Sequence, residues 1–152
     1  MVTINPNAEK RLWKDEWQAV IRRQRELLVF PSYDRETAKK LGLELMKQAE
    51  GKTAALQIME GDLVVFACKL EGTNEENDAW IRYKYDLSVN EGYITSIESS
   101  GHCGGCIPLV VRGKEKPAAY VFCSGLQHYD DHQLVADAMA HLLGVEIPTL
   151  DI

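Results

Sequence analysis

Two pairs of apolar runs, each pair joined by a short glycine-containing link, restrict the folds open to this chain more than any other feature. The first pair spans residues 54–59 and 63–70 around Glu60-Gly61-Asp62. The second spans residues 107–112 and 118–123 around Gly113-Lys-Glu-Lys116. Links this short with glycine in them are hairpin signals, because the chain must reverse within a few residues. Residues 63–68 are continuously apolar, which predicts a strand covered on both faces. Pro108 cannot donate a ladder hydrogen bond, so it belongs at the first residues or the edge of its strand.

Around the hairpins the period changes from strand to helix. Trp13, Trp17, Val20, Gln24, Leu27 and Leu28 recur at helical spacing, with Asn7 as N-cap and Pro31 as the stop. A second helix is expected from about Asp34 to Glu50, capped by Ser32 or Asp34, with Ala38, Leu41, Leu45 and Ala49 as its stripe. Gly42 interrupts that stripe, which points to close packing. Trp80, Tyr83 and Leu87 line a third helix starting near Thr73 or Asn74 and ending around Asn90 and Gly92. A short helix and a loop are expected between residues 92 and 101. Leu134, Val135, Ala138, Met139, Leu142 and Leu143 form the stripe of a last helix, with Asp130 as N-cap and Gly144 as terminator. The order α-α-β-β-α-β-β-α predicts an α+β fold, an antiparallel sheet covered by helices. No repeat or linker divides the chain. Residues 1–152 are expected to form one domain, with residues 1–30 as an N-terminal helix packed on it.

The sequence carries 23 acidic and 17 basic residues, a net charge of −6, with no basic block, which argues against nucleic acid or an anionic membrane as partner. It has no apolar run long enough to span a bilayer and no signal-peptide pattern at its start. A cytoplasmic protein is the expectation. Its four cysteines then read as thiols, metal ligands or redox groups rather than structural disulfides.

Three segments could carry chemistry. Cys103-Gly-Gly-Cys106 has the spacing of a redox pair or half a zinc site, with His102 or Cys123 as further ligands. Alternatively it is a tight turn feeding a strand. Gln127-His128-Tyr129-Asp130-Asp131-His132 gathers two imidazoles and two carboxylates. His128 and His132 suit a metal only if both lie on one helix, and the cap at Asp130 places His128 outside it. Asp130 and Asp131 also satisfy a helix start. In the third segment Glu75, Glu76 and Asp78 could hold a hard cation or simply face water in the first helical turn. Trp80 and Lys84 share a face there, with the lysine placed to receive a carboxylate or phosphate. Ser124 lacks a Gly-x-Ser-x-Gly elbow and is not expected to be a nucleophile. No hydrolase, kinase, P-loop or dinucleotide motif is present.

Gly72-Thr73, Asn77-Asp-Ala-Trp80-Ile81, Lys84, Gly104-Gly105, Pro108, Ser124-Gly125-Leu126 and Asp130-Asp131-His132 occur in this order over roughly residues 30 to 145. In these positions the chain resembles the uncharacterised bacterial and fungal branch of the haem-degrading-domain, or haem-binding-protein-like, superfamily. The resemblance implies a profilin-like α/β sandwich on a central antiparallel sheet of about five strands. It also implies homo-oligomers, dimers or higher, and in some members binding or degradation of haem, or binding of iron. Relatives usually carry a histidine immediately before the Gly-Gly pair; here Cys103 stands there, with His102 one position earlier.

The leading expectation is a cytoplasmic, homo-oligomeric ligand-binding protein, taking haem, iron or a small anionic metabolite. Asn77, Trp80, Lys84, Gly104, Gly105, Ser124, Gly125, Asp131 and His132 are its candidate ligand residues. Cys103, Cys106, His128 and His132 are candidate metal ligands. A thiol redox or metal-binding protein using Cys103 and Cys106 is one alternative, and a non-enzymatic oligomeric scaffold another. The sequence does not decide whether a reaction is catalysed.

Overall fold

In the computed structural model residues 15–100 and 103–150 are described. Asn7, Trp13 and His102 lie outside them. The elements in chain order are α1 (Trp17–Leu27), β1 (Val29–Phe30), α2 (Arg35–Gln48), β2 (Ala55–Glu60), β3 (Leu63–Lys69), α3 (Glu75–Asn90), α4 (Ser96–Ser100), β4 (Cys106–Val111), β5 (Ala119–Ser124) and α5 (His128–Leu143).

One five-stranded sheet of order β1-β4-β5-β2-β3 forms the centre. The two hairpins pair antiparallel and join through β2 and β5, with Ala55 opposite Ser124 and Met59 opposite Tyr120. The fifth strand, β1, pairs parallel with β4 through Val29–Val110 and Phe30–Val111, so the sheet is mixed. Sequence spacing had placed those two residues in the first helix; α1 instead ends at Leu27 and the chain extends against β4 before Pro31. Pro108 lies opposite Tyr120, on a stretch of β4 that the two-residue β1 does not reach. Its nitrogen therefore interrupts no ladder.

Alternation along the strands divides the core. Leu56, Ile58, Val121 and Cys123 pack with Leu41 and Leu45 of α2 and Val135, Ala138 and Met139 of α5. Ala55, Met59, Tyr120 and Phe122 face the other way, onto Ile81 and Tyr85 of α3. A third cluster joins Trp17 and Ile21 of α1, Ile97 of α4 and Leu150. Gly42 serves the packing its position suggested: a Cβ there would stand 2.4 Å from the Phe66 ring.

Local signals held at several ends. Asp34 caps α2 by accepting the Thr37 N–H at 2.9 Å, and Asn74 with Asn77 forms a capping box on α3. At the C-terminus of α3, Gly92 donates to the Val89 carbonyl and Tyr93 to that of Ser88, the paired bonds of a Schellman motif. Two expectations are corrected. β3 is an edge strand with Leu63 54% and Val64 46% exposed, so its apolar run is not covered on both faces. α5 begins at His128 with Gln127 as N-cap, since the Gln127 carbonyl already accepts the Asp131 N–H at 2.8 Å, and Asp130 lies within the first turn instead of capping it.

Candidate functional site

Past the C-terminal end of β5, the N-terminal halves of α3 and α5 converge on a cleft of about 400 Å³. In α3 the capping box turns the Asn77 carbonyl oxygen to the Asn74 N–H at 2.9 Å. The Asn77 amide NH2 is left to reach the Ser124 hydroxyl at 3.4 Å. Trp80 and Lys84 follow on the same helical face, one turn apart. From α5 come His128, packed edge-on to Trp80 with ring centroids 5.0 Å apart, and Asp131.

The floor of the cleft is an ion pair shut away from water. The Lys84 ammonium donates to Asp131 Oδ2 at 3.1 Å and to the Cys123 carbonyl at 2.9 Å, and the two side chains are 1% and 2% exposed. Asp131 Oδ1 accepts the Leu126 N–H at 3.0 Å and the Cys123 thiol at 3.4 Å. Every oxygen of this carboxylate is engaged, as burial of a charge requires. Burial nonetheless pushes the Asp131 carboxyl up to about 6, against the downward pull of Lys84 and the Leu126 N–H. The ammonium has three hydrogens and these two bonds use two.

Gly104 and Gly105 make this floor possible by what they lack. A Cβ on Gly104 would lie 2.1 Å from the His128 carbonyl oxygen. One on Gly105 would lie 2.2 Å from that of Cys123 and 2.8 Å from Lys84 Nζ, on a backbone at φ +119°. Both glycines let the 104–105 segment pass beneath the ion pair. They do not line the cleft.

Cys103, Cys106 and Cys123 are buried free thiols. Burial pushes Cys103 up to about 12 and raises Cys106 and Cys123 well above an ordinary thiol. A reactive redox cysteine needs its thiolate, and burial disfavours it at these three sites. Among the described residues no three His, Cys, Asp or Glu side chains converge to hold a metal ion.

His132 is set on the far side of α5 from Asp131. Its Nε2 lies 2.7 Å from Gln24 Oε1. The Gln24 NH2 donates to the Pro148 carbonyl at 2.8 Å and to Gln133 Oε1 at 3.1 Å, which fixes the amide orientation. Facing an acceptor, His132 Nε2 carries the proton, and among the described residues Nδ1 finds no hydrogen-bond partner. Burial pulls this imidazole down to about 4.

Of the nine candidate ligand residues, the cleft gathers Asn77, Trp80, Lys84, Ser124, Gly125 and Asp131. Gly104, Gly105 and His132 stand behind it. His128, proposed for a metal, lies on α5 together with His132, but one ring meets Trp80 and the other Gln24. Glu75, Glu76 and Asp78 occupy the first turn of α3, where Asp78 pairs with Lys69. Gln24 as the partner of His132, and Cys123 as a partner of Lys84 and Asp131, were not foreseen. A polar residue on the apolar stripe of α1 was the available signal for Gln24.

The fold and this arrangement can be set beside known proteins. Residues 34–140 match the model of a family described as haem degrading protein HbpS-like. A UPF0303 protein of Sinorhizobium medicae is 31% identical over 80% of this chain and 87% of its own length. One of Yersinia pseudotuberculosis is 26% identical over 88% and 91%. The crystal structure of the Ybr137w protein superimposes with a TM-score of 0.74 over 95% of this chain and 98% of that one, at 18% identity, and shows the shared fold. The family match spans most of the chain, including both hairpins, the ion pair and the whole cleft wall: the protein belongs to the HbpS-like haem-degrading family.

Proposed function

We propose that the protein binds a small carboxylate-bearing molecule in the cleft between α3 and α5. The observation that carries this reading is Lys84: a buried ammonium at the floor of a cleft, with one N–H beyond those given to Asp131 and Cys123. Asn77 and Ser124 would orient the ligand's polar end and Trp80 would cover its apolar part, the usual division in a small-molecule site. A homo-oligomer in the cytoplasm belongs to the same reading, supported by family membership and by four free cysteines.

Haem is the ligand in the family's description, and its iron needs an imidazole, thiolate, thioether or phenolate facing it. Here the buried thiols do not line the cleft, and His132 is turned to Gln24. His128 lines the cleft but is 8% exposed and packed on Trp80. Among the described residues, this placement of imidazoles and thiols does not fit a coordinated haem.

Native mass spectrometry of gently purified protein tests the proposal. The expected result is a homo-oligomer retaining a small organic anion that Trp80→Ala loses. Haemin titration is the counter-test: a Soret shift abolished by His128→Ala would overturn the small-anion reading in favour of haem.

A further inference from the structure

Resting on that reading of the cleft, we propose that the ligand enters by exchange: its carboxylate takes the Lys84 ammonium, and Asp131 takes up one proton from solvent. The bound state then holds one cation, one anion and a neutral acid where the free state holds an ion pair.

Charge and burial require the proton. Lys84 and Asp131 already balance in a place nearly closed to water. A second carboxylate alone would leave one negative charge uncompensated there, which burial strongly disfavours. Uptake of one proton restores neutrality.

The surroundings identify the acceptor. Facing Asp131 are Lys84 from α3, Cys123 from β5 and Cys103 from the segment before β4. Both thiols are held in their protonated form and have no site for a further proton. On α5 itself His132 is turned away to Gln24, and His128 lies against Trp80. Glu76 is exposed at the cleft mouth, where water already solvates its charge. Lys52 acts on Cys123 from behind. That leaves Asp131 Oδ2, the atom that loses its ionic partner when the ligand arrives.

The geometry also suits the protonated state. Oδ1 keeps its two donors, Leu126 N–H and the Cys123 thiol, whether or not Oδ2 is protonated. Protonation turns Oδ2 from an acceptor into a donor beside the Lys84 ammonium, so the incoming carboxylate gains a second hydrogen bond. Lys84 stays anchored through the Cys123 carbonyl. Burial has already brought Asp131 near the physiological range, so the uptake is small in cost.

Benzoate is the probe, because its carboxylate stays ionised over the range tested and its ring can lie on Trp80. Calorimetric titration of wild-type protein at about pH 7.5, in two cationic buffers of different ionisation enthalpy, should show about one proton taken up per benzoate bound. The Kd should weaken about tenfold per pH unit above the Asp131 midpoint. The 13C carboxyl shift of Asp131 should move to its protonated value on binding. Asp131→Asn should bind without proton uptake and with a flat pH profile. Benzoate binding that perturbs the Trp80 indole N–H yet takes up no proton would overturn the exchange and leave the cleft as the ligand site. An unmoved indole with no heat would end both.

Discussion

Asp131 and His132 are neighbours on one helix, both buried, and they meet opposite fates. Consecutive helical residues point about 100° apart, so one side of α5 turns to α3 and the other to α1. On the α3 side Asp131 lies in an ionic floor with a cleft above it. On the α1 side His132 is sealed under Gln24 and held neutral. Burial alone does not decide what a polar residue can do. The element laid over it does: α3 brings a cation and leaves a mouth, while α1 brings an amide and leaves none.

The comparison breaks first at Lys84. Lys84→Met strands the Asp131 carboxylate and should cost about 3–5 kcal/mol in urea unfolding at pH 7, and less at pH 5, where Asp131 is closer to neutral. A loss below about 1 kcal/mol would mean that water already reaches the pair.

The second test uses proton linkage. The Asp131 carboxyl is raised from 3.8 to about 6, so the folded state holds more protons than the unfolded one in that window. Its contribution is full below 3.8 and is lost as pH rises through 6. The His132 imidazole is lowered from 6.5 to about 4, so its contribution is full above 6.5 and is lost as pH falls through 4. Each is on the order of 3 kcal/mol, and the two oppose. His132→Gln should therefore expose a stability that falls as pH rises from 4 to 6, and Asp131→Asn the reverse slope. Equal slopes in both variants would refute the division of α5.

Next is Gln24→Met. It removes the acceptor of the His132 N–H and the donor to Pro148, and should cost about 1–3 kcal/mol without changing ligand affinity at the cleft. Loss of benzoate binding would show that the two sides are coupled. The smallest effect is chemical. Iodoacetamide should modify half-buried Cys68 first and reach Cys103, Cys106 and Cys123 only on unfolding. Fast labelling of Cys103 in the native protein would restore the thiol reading.

Much of the scaffold was legible because its signals are local. The hairpin links, the Asp34 and Asn74 caps and the Gly92 and Gly144 stops each depend on a few adjacent residues. β1 was not legible, since its only warrant is the parallel partner in β4. The apolar run of β3 misled because composition cannot say which strand stands at an edge. At the cleft, Asn77, Trp80 and Lys84 could be grouped by helical spacing, whereas the partnership of Lys84 with Asp131 crosses 47 residues and leaves no periodic trace. Cys103-Gly-Gly-Cys106 drew attention as a thiol motif, yet its glycines are what the neighbouring backbone demands. Asp130 and Asp131 could both serve a helix start, and only the fold shows that one of them is needed elsewhere.

The amide of Gln24 bonds at once to Gln133 and to the backbone of Pro148, while Gln133 also accepts the Leu150 N–H. The two bonds of the Gln24 amide each span more than a hundred residues of chain, so their loop-closure cost is met late in folding. During synthesis α1 leaves the ribosome ahead of residues 148–150, so the bond from Gln24 to the Pro148 carbonyl cannot form until they have followed. Until then one of the two bonds that orient the amide over the His132 imidazole is missing. The order in which the ribosome delivers the chain thus leaves a helix made ahead of the sheet waiting for its final bond.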